Sequence, residues 1–423
     1  MKIKYLKSPS EFTSNFLILT SGTTISQLFP LIVSPILSRL YSPEEFGVLA
    51  LFTSLITIFA IFSTMKYDQS IMLPEDEEEA YKLLYINLLL SLIVFFISSL
   101  IIFLIARILS NLLNNEKIYP WLFFIPLSTF LMSAYRILRI WFNRQKRYKI
   151  MSSGSIILSS SNNIIGIILG FLVKTFNGMM VGRIFSQFIS TLYLFGKFYK
   201  NNYRLTKKIN FTEILGLLKK YRNFPFFSLP AGLLNIVTNQ LPIFIIDYYF
   251  GTTVLGLFSL TQRVLGQPVI LFSNSILEVF KERATSDYNK YGNCLKIFKK
   301  TLLYLILIGS PLFLIIFLFS KQLFVIFFGP EWSATGEYSQ ILSIFFFLRF
   351  IASPLSYTIY ITQKQYIDFV WQTVLISMII VSFLIGIHLN DIKICLILFS
   401  SSYSFMYLIY LLISYKLAKG NIR

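Results

Sequence analysis

Chemistry-bearing side chains are scarce in this chain of 423 residues, which has two cysteines, one histidine and only 19 acidic residues. The lone His388 sits in a turn and excludes an H-E-x-x-H metal pair. No G-x-x-x-x-G-K-[ST] loop and no dinucleotide glycine fingerprint occur, so the chain does not power transport with ATP by itself, and no catalytic, metal or cofactor site is expected. Cys294 lies in a basic loop and Cys395 in an apolar segment. An alternating topology puts them near opposite faces, which excludes pairing. With charged residues at 13% and hydrophobic residues at 55%, a disordered or disulfide-stapled chain is excluded as well.

What is abundant is apolar length. Hydrophobic residues reach 55% and mean hydropathy is +0.68. Twelve runs approach the roughly 20 residues that cross a bilayer: 12–38, 46–65, 83–106, 120–141, 151–173, 178–199, 224–250, 256–278, 297–319, 339–361, 368–387 and 392–415. The first run is longer than a signal-peptide core and lacks a small-residue cleavage site, so it reads as a retained helix. The net charge of +19 is a topology signal and not a nucleic-acid footprint. With both termini on one side, that side carries 27 basic residues and the other 6, which makes it cytoplasmic.

The polar stretch 200–222 separates six spans from six. The reading is an all-α integral membrane protein: an N-terminal six-helix bundle (1–199), a basic cytoplasmic linker (200–222) and a C-terminal six-helix bundle (223–423), around a central cavity. An internal echo supports the division. Residues 41–51 align on 250–260 without gaps, matching Gly47 with Gly256 at an offset near half the chain, as duplicated transporter halves do. Prolines in corresponding helices, Pro30 and Pro35 in the first span and Pro225, Pro230 and Pro242 in the seventh, permit bends. Gly166-x-x-x-Gly170 and Gly178-x-x-x-Gly182 let the fifth and sixth spans pack closely. Ser155, Ser159 and Asn162 give the fifth span a face that is either hydrogen-bonding glue or a polar wall.

Five arginines fall inside apolar spans, where a charge is costly and is kept only beside a cavity or a partner. Arg263, Gln267, Asn274 and Glu278 stay within about 60° of arc on one helix, a polar face that meets a hydrated cavity or an interhelical seam. Arg136 and Arg139 share a face near the cytoplasmic end of the fourth span and either snorkel to the interface or line a cavity. Arg183, with Gln187 and Ser190 on its face, leaves the same two choices. Arg349 sits about 15 Å from either end of its span, too deep to snorkel easily. Acidic candidates are Asp247, closing the seventh span, and Asp68, which stands with Lys66 where the second span continues inward; either could bind a proton or sodium ion, or anchor a helix end. The run Glu75–Glu79 after Pro74 reads as an ordinary helix start.

Two segments carry a resemblance. RLYSPEEFG (39–47), followed after an apolar helix by KYDQSIMLPEDEEEA (66–80), and FGPEWSATGEYSQILSIFFFLRFIASPLS (328–356) resemble bacterial polysaccharide-biosynthesis membrane proteins of the O-antigen flippase (Wzx-like) type, within the multidrug/oligosaccharidyl-lipid/polysaccharide exporter superfamily. The resemblance implies a MATE-like fold in the bacterial inner membrane. It also implies alternating-access flipping of a polyprenyl-diphosphate-linked oligosaccharide, such as an O-antigen repeat unit, through a cationic cavity. Arg263, Arg136 or Arg139 then match positions where such flippases carry important cations, with Arg349, Arg183, Gln267, Asn274 and Lys66 as further substrate contacts. Asp247 and Asp68 would serve H+ or Na+ coupling. Expected partners are membrane lipids and the polysaccharide polymerase machinery, around a monomer without cofactor. A drug/cation antiporter of the same superfamily is the alternative, and it would want buried carboxylates where this chain has arginines. A polymerase or ligase would need a large outward loop, and the outward stretches are short.

Overall fold

The computed structural model describes residues 9–173, 177–202 and 210–420, with side chains from residue 21 onward except at 177, 201–202 and 274–275. Lys2, Lys4, Lys7, Lys174, Arg204, Lys207, Lys208 and Arg423, counted for topology, lie outside the described residues. The described chain is helical throughout: α1 (Pro9–Leu40), α2 (Pro43–Thr64), α3 (Glu77–Leu112), α4 (Tyr119–Leu122), α5 (Ile125–Arg144), α6 (Tyr148–Val173), α7 (Asn177–Asn202), α8 (Phe211–Lys220), α9 (Leu229–Phe250), α10 (Thr252–Tyr291), α11 (Leu295–Phe328), α12 (Ser333–Leu355), α13 (Thr358–Ile361), α14 (Tyr366–His388) and α15 (Ile392–Ala418). Each of the twelve expected spans falls on one helix or on a helix with a short neighbour. Among the described residues nine helices are long and apolar enough to cross a membrane. The α4–α5 pair, bent by 55°, makes ten. The two spans outside that set are α1, in which 12 of 32 residues are Ser, Thr, Asn or Gln, and α7, which carries Arg183, Lys197 and Lys200.

Internal contacts divide the chain into Met1–Tyr248 and Tyr249–Arg423. Element order repeats between the halves. The offset that aligns Gly47 with Gly256 also aligns the starts of α2 and α10, and a 3-10 turn precedes the fourth span of each half, Glu116–Ile118 and Pro330–Trp332.

Helix ends follow elementary rules. Ser42 and Glu45 form a capping box at α2, where the Ser42 N–H donates to Glu45 Oε2 at 2.6 Å. The acidic run starts α3 as expected, although the cap is Asp76, which accepts from the amides of Glu78 and Glu79, and not a proline at the first position. The glycine spacing of α6 and α7 is a close-packing device. A Cβ on Gly182 would stand 2.8 Å from the Asn162 carbonyl oxygen, and one on Gly178 would overlap the Tyr41 hydroxyl, which donates to the Gly166 carbonyl at 2.7 Å. Gly182→Ala should therefore cost about 1–3 kcal/mol, since backbone cannot swing aside, and a thermal melt of purified protein reads it directly. Ser159 donates to the Ser26 carbonyl at 2.6 Å and Ser155 lies 3.4 Å from Tyr135, so these two members of the serine face act as interhelical glue.

Both cysteines are buried and free. Burial, then the nearby Asp287 carboxylate, pushes the Cys294 thiol up to about 11. At neutral pH almost none of it is thiolate, so maleimide should leave both native cysteines unlabelled in folded protein and modify them after denaturation, as mass spectrometry would show.

Candidate functional site

The second span ends in a left-handed break. Met65 (φ 48°) and Lys66 (φ 66°) are consecutive non-glycine residues in that region, a costly backbone of the kind kept at functional positions. The break turns the chain into the 3-10 segment Tyr67–Met72 and points Asp68 into protein, where it is buried. Arg136 of α5 meets it there, with Nε 3.1 Å from Asp68 Oδ2; the pair is Coulombic, since the Nε hydrogen is not aligned on the carboxylate. The Arg136 Nη2 donates to Thr64 Oγ1 at 3.1 Å, and that hydroxyl donates to Asp68 Oδ1 at 2.7 Å. Further along α5, Arg144 donates to the carbonyls of Ile71, Glu75 and Asp76. Two arginines of one helix thus hold the 67–76 segment at both ends.

Of the cations expected here, Arg136 is paired with Asp68. Arg139, one turn on, is half-buried and has no ion-pair partner among the described residues. Lys66 is half-buried with its side chain across Gly232 of α9, where an added Cβ would stand 2.8 Å from Lys66 Cε. Arg183 on α7 keeps a buried Nε, and Gln187 a buried Oε1, without hydrogen-bond partners among the described residues. Ser190 bonds back to its own helix, to the Gln187 carbonyl. Asp247 is buried on α9.

In the second half, α10 packs on α12 through Thr261, Leu265, Val269 and Ser273, all buried, with Thr261 and Ser273 donating to the carbonyls of Thr335 and Phe350. At 100° per residue, Arg263 and Gln267 lie about 140° to 180° from the centre of that stripe. The polar face is therefore not the α10–α12 seam. Arg263 and Gln267 are half-buried, Gln267 Oε1 has no partner among the described residues, and Glu278 is exposed. The Asn274 side chain lies outside the described residues.

Arg349, half-buried on α12, lies in the fourth span of this half, as Arg136 and Arg139 do in the other. It lies within electrostatic reach of Tyr403 and Tyr407 on α15. Tyr407 also feels Asp368, in the first turn of α14, and that carboxylate accepts hydrogen bonds from Tyr360 and Tyr410. Aromatic rings brace the cluster, with Trp371 at 4.8 Å from Tyr410 and 5.3 Å from Tyr407, and Phe345 at 4.5 Å from Tyr403. Sequence reasoning missed Asp368 because it coincided with a span boundary; the signal available was an acidic residue followed at i+3 by Trp371 inside an apolar helix. Among the described residues no three His, Cys, Asp or Glu side chains converge as metal ligands.

The bent all-α frame has known counterparts. By fold, the chain is similar to a lipid II flippase, MurJ, in an inward closed conformation (TM-score 0.75, 16% identity, covering 95% of this chain and 87% of that one). It is also similar to the MATE multidrug transporter DinF-BH (TM-score 0.70, 15% identity, 98% of each chain). By sequence it is 24% identical over 253 residues to the succinoglycan biosynthesis transport protein ExoT of Rhizobium meliloti (strain 1021), covering 58% of this chain; the match spans about half, 48%, of that relative's length. Residues 36–337 match the polysaccharide biosynthesis protein family, a stretch that holds the left-handed break, the Arg136 cluster and Arg263. The chain is a multi-pass membrane protein of the polysaccharide biosynthesis protein family, on the all-α fold that it shares with MurJ and the MATE transporters.

Proposed function

We propose that this protein is a flippase that carries a polyprenyl-diphosphate-linked oligosaccharide from the inner to the outer leaflet of the bacterial cytoplasmic membrane by alternating access. Both termini are cytoplasmic and the cargo is the repeat unit of a surface polysaccharide. The observation that carries the reading is the placement of Arg263 and Gln267 on the face of α10 turned away from α12. A diphosphate in a low-dielectric path needs compensating charge, and guanidinium supplies it in a bidentate form. A drug/cation antiporter has no use for this sign of charge.

Coupling follows from the Arg136 cluster. A diphosphate that draws Arg136 toward itself leaves Asp68 buried without its counter-ion, so that a coupling cation can take the place of the guanidinium. Release of the cargo restores the pair and displaces that cation. Asp68 is thereby the coupling carboxylate on this side. Asp247, buried on α9, is the second acidic candidate, and H+ or Na+ is the coupling ion. Arg139, Arg183, Arg349, Asn274 and Lys66 complete the proposed set of cargo contacts, with the polymerase machinery receiving the flipped unit.

Deleting the gene tests the assignment. A polyprenyl-diphosphate-linked glycan should accumulate on the cytoplasmic leaflet while surface polysaccharide is lost. Unchanged glycolipid together with new sensitivity to cationic drugs would favour the antiporter instead.

A further inference from the structure

The polar stretch between the sixth and seventh spans is not featureless. Residues 211–220 form α8, on which Phe211, Ile214, Leu215 and Leu218 share an arc of about 100°, while Glu213, Gly216 and Lys220 face the other way. Three anchors fix it at membrane-surface level. Glu213 pairs with Lys82 at 3.3 Å, Lys220 pairs with Glu79 at 2.6 Å, and the Tyr67 hydroxyl donates to the Leu218 carbonyl at 3.0 Å. Glu79 and Lys82 stand in the first turns of the spanning helix α3, Tyr67 follows the end of α2, and the segment Phe224–Phe250 enters the membrane four residues after α8 ends.

The apolar edge is uncovered: Phe211 is 71% and Leu215 51% exposed, and beyond the helix Phe226 and Phe227 are 69% and 72% exposed. Charge on the flanks is of one sign. Lys219 and Arg222 are exposed and form no ion pair among the described residues, and the neighbouring sequence adds Lys197, Lys200, Arg204, Lys207 and Lys208. An apolar edge at headgroup depth flanked by basic residues matches the surface of an anionic bilayer.

We propose that α8 is a binding site for anionic phospholipid headgroups, with Phe211 and Leu215 inserted among the acyl chains and Lys219 and Arg222 on the phosphates. The leaflet concerned rests on the cytoplasmic orientation proposed above. Lipid contact also has a route to the cargo site, because Tyr67, hydrogen-bonded to α8, adjoins the Asp68 that holds Arg136.

The test uses the full chain carrying Phe211→Cys, or Leu215→Cys as a second variant, labelled with an environment-sensitive NBD probe and reconstituted in vesicles of phosphatidylcholine with or without phosphatidylglycerol. A blue-shifted emission that requires phosphatidylglycerol and weakens in high salt is expected. Lys219→Gln and Arg222→Gln should each raise the phosphatidylglycerol needed for half the shift about fivefold. Water-like emission in both vesicles, or the same apolar emission without phosphatidylglycerol, overturns the proposal. Dithionite quenching of the same probe in whole cells and inverted vesicles reports its side of the membrane, so a wrong orientation is read separately from absent lipid contact.

Discussion

Arg136→Ala should abolish cargo delivery and destabilise the protein by about 3 kcal/mol, the low end of the cost of breaking a buried pair, because the arginine side chain is itself 33% exposed. The deficit arises at Asp68, whose carboxylate stays buried with only the Thr64 hydroxyl, among the described residues, to answer it. Adding Asp68→Asn removes that stranded charge. The double variant should recover most of the stability and none of the transport, while Asp68→Asn alone should fold normally and lose its dependence on the ion gradient. Thermal melts and outer-leaflet glycolipid, measured on the same four proteins, separate the two roles. Recovery of transport in the double variant would make the pair structural and nothing more.

Arg263→Ala should leave membrane insertion intact, since the face it occupies is not the one packed on α12. Loss of charge-assisted contacts to a diphosphate, at about 1.5–3 kcal/mol, corresponds to a roughly 10- to 100-fold loss of glycolipid delivery. Arg263→Lys distinguishes charge from geometry. Partial activity means that the positive charge dominates, and activity as low as in the alanine variant means that the planar fork is required. Surface glycan at wild-type levels in Arg263→Ala would remove this residue from the pathway.

Much of the fold was legible because membrane spans announce themselves one at a time. An apolar run of about 20 residues needs no partner to be recognised, and all twelve runs found helices. The glycine spacings were legible for a similar reason, since closeness at Gly182 is written in the residue itself. Helix length was less so. Hydropathy marks depth and not helicity, so the 40 residues of α10 run on through a polar half to Tyr291, far beyond the expected end at 278. The short α8 escaped because its apolar edge is too brief for a spanning window and lies among lysines.

The site divided along the same line. Deep arginines stand out in the sequence as single anomalies. Their partners did not stand out. Asp68 and Arg136 meet across 68 residues of sequence, through a break at Met65 and Lys66 that no glycine or proline signals. Asp368 gains its meaning from Tyr360 and Tyr410, one on either side of it in sequence and brought together only by packing. Pairing of this kind belongs to tertiary structure, which is why the sequence leaves Asp68 open between a coupling site and a helix-end anchor.

Binding of polyprenyl diphosphate and of the uncharged polyprenol of the same chain length, compared on purified protein by ligand-induced thermal stabilisation, tests the central claim most directly. Guanidinium recognition of an anionic headgroup predicts stabilisation by the diphosphate alone, sharply reduced in Arg263→Ala. Equal stabilisation by the neutral alcohol, or a diphosphate response unchanged by Arg263→Ala, would contradict it.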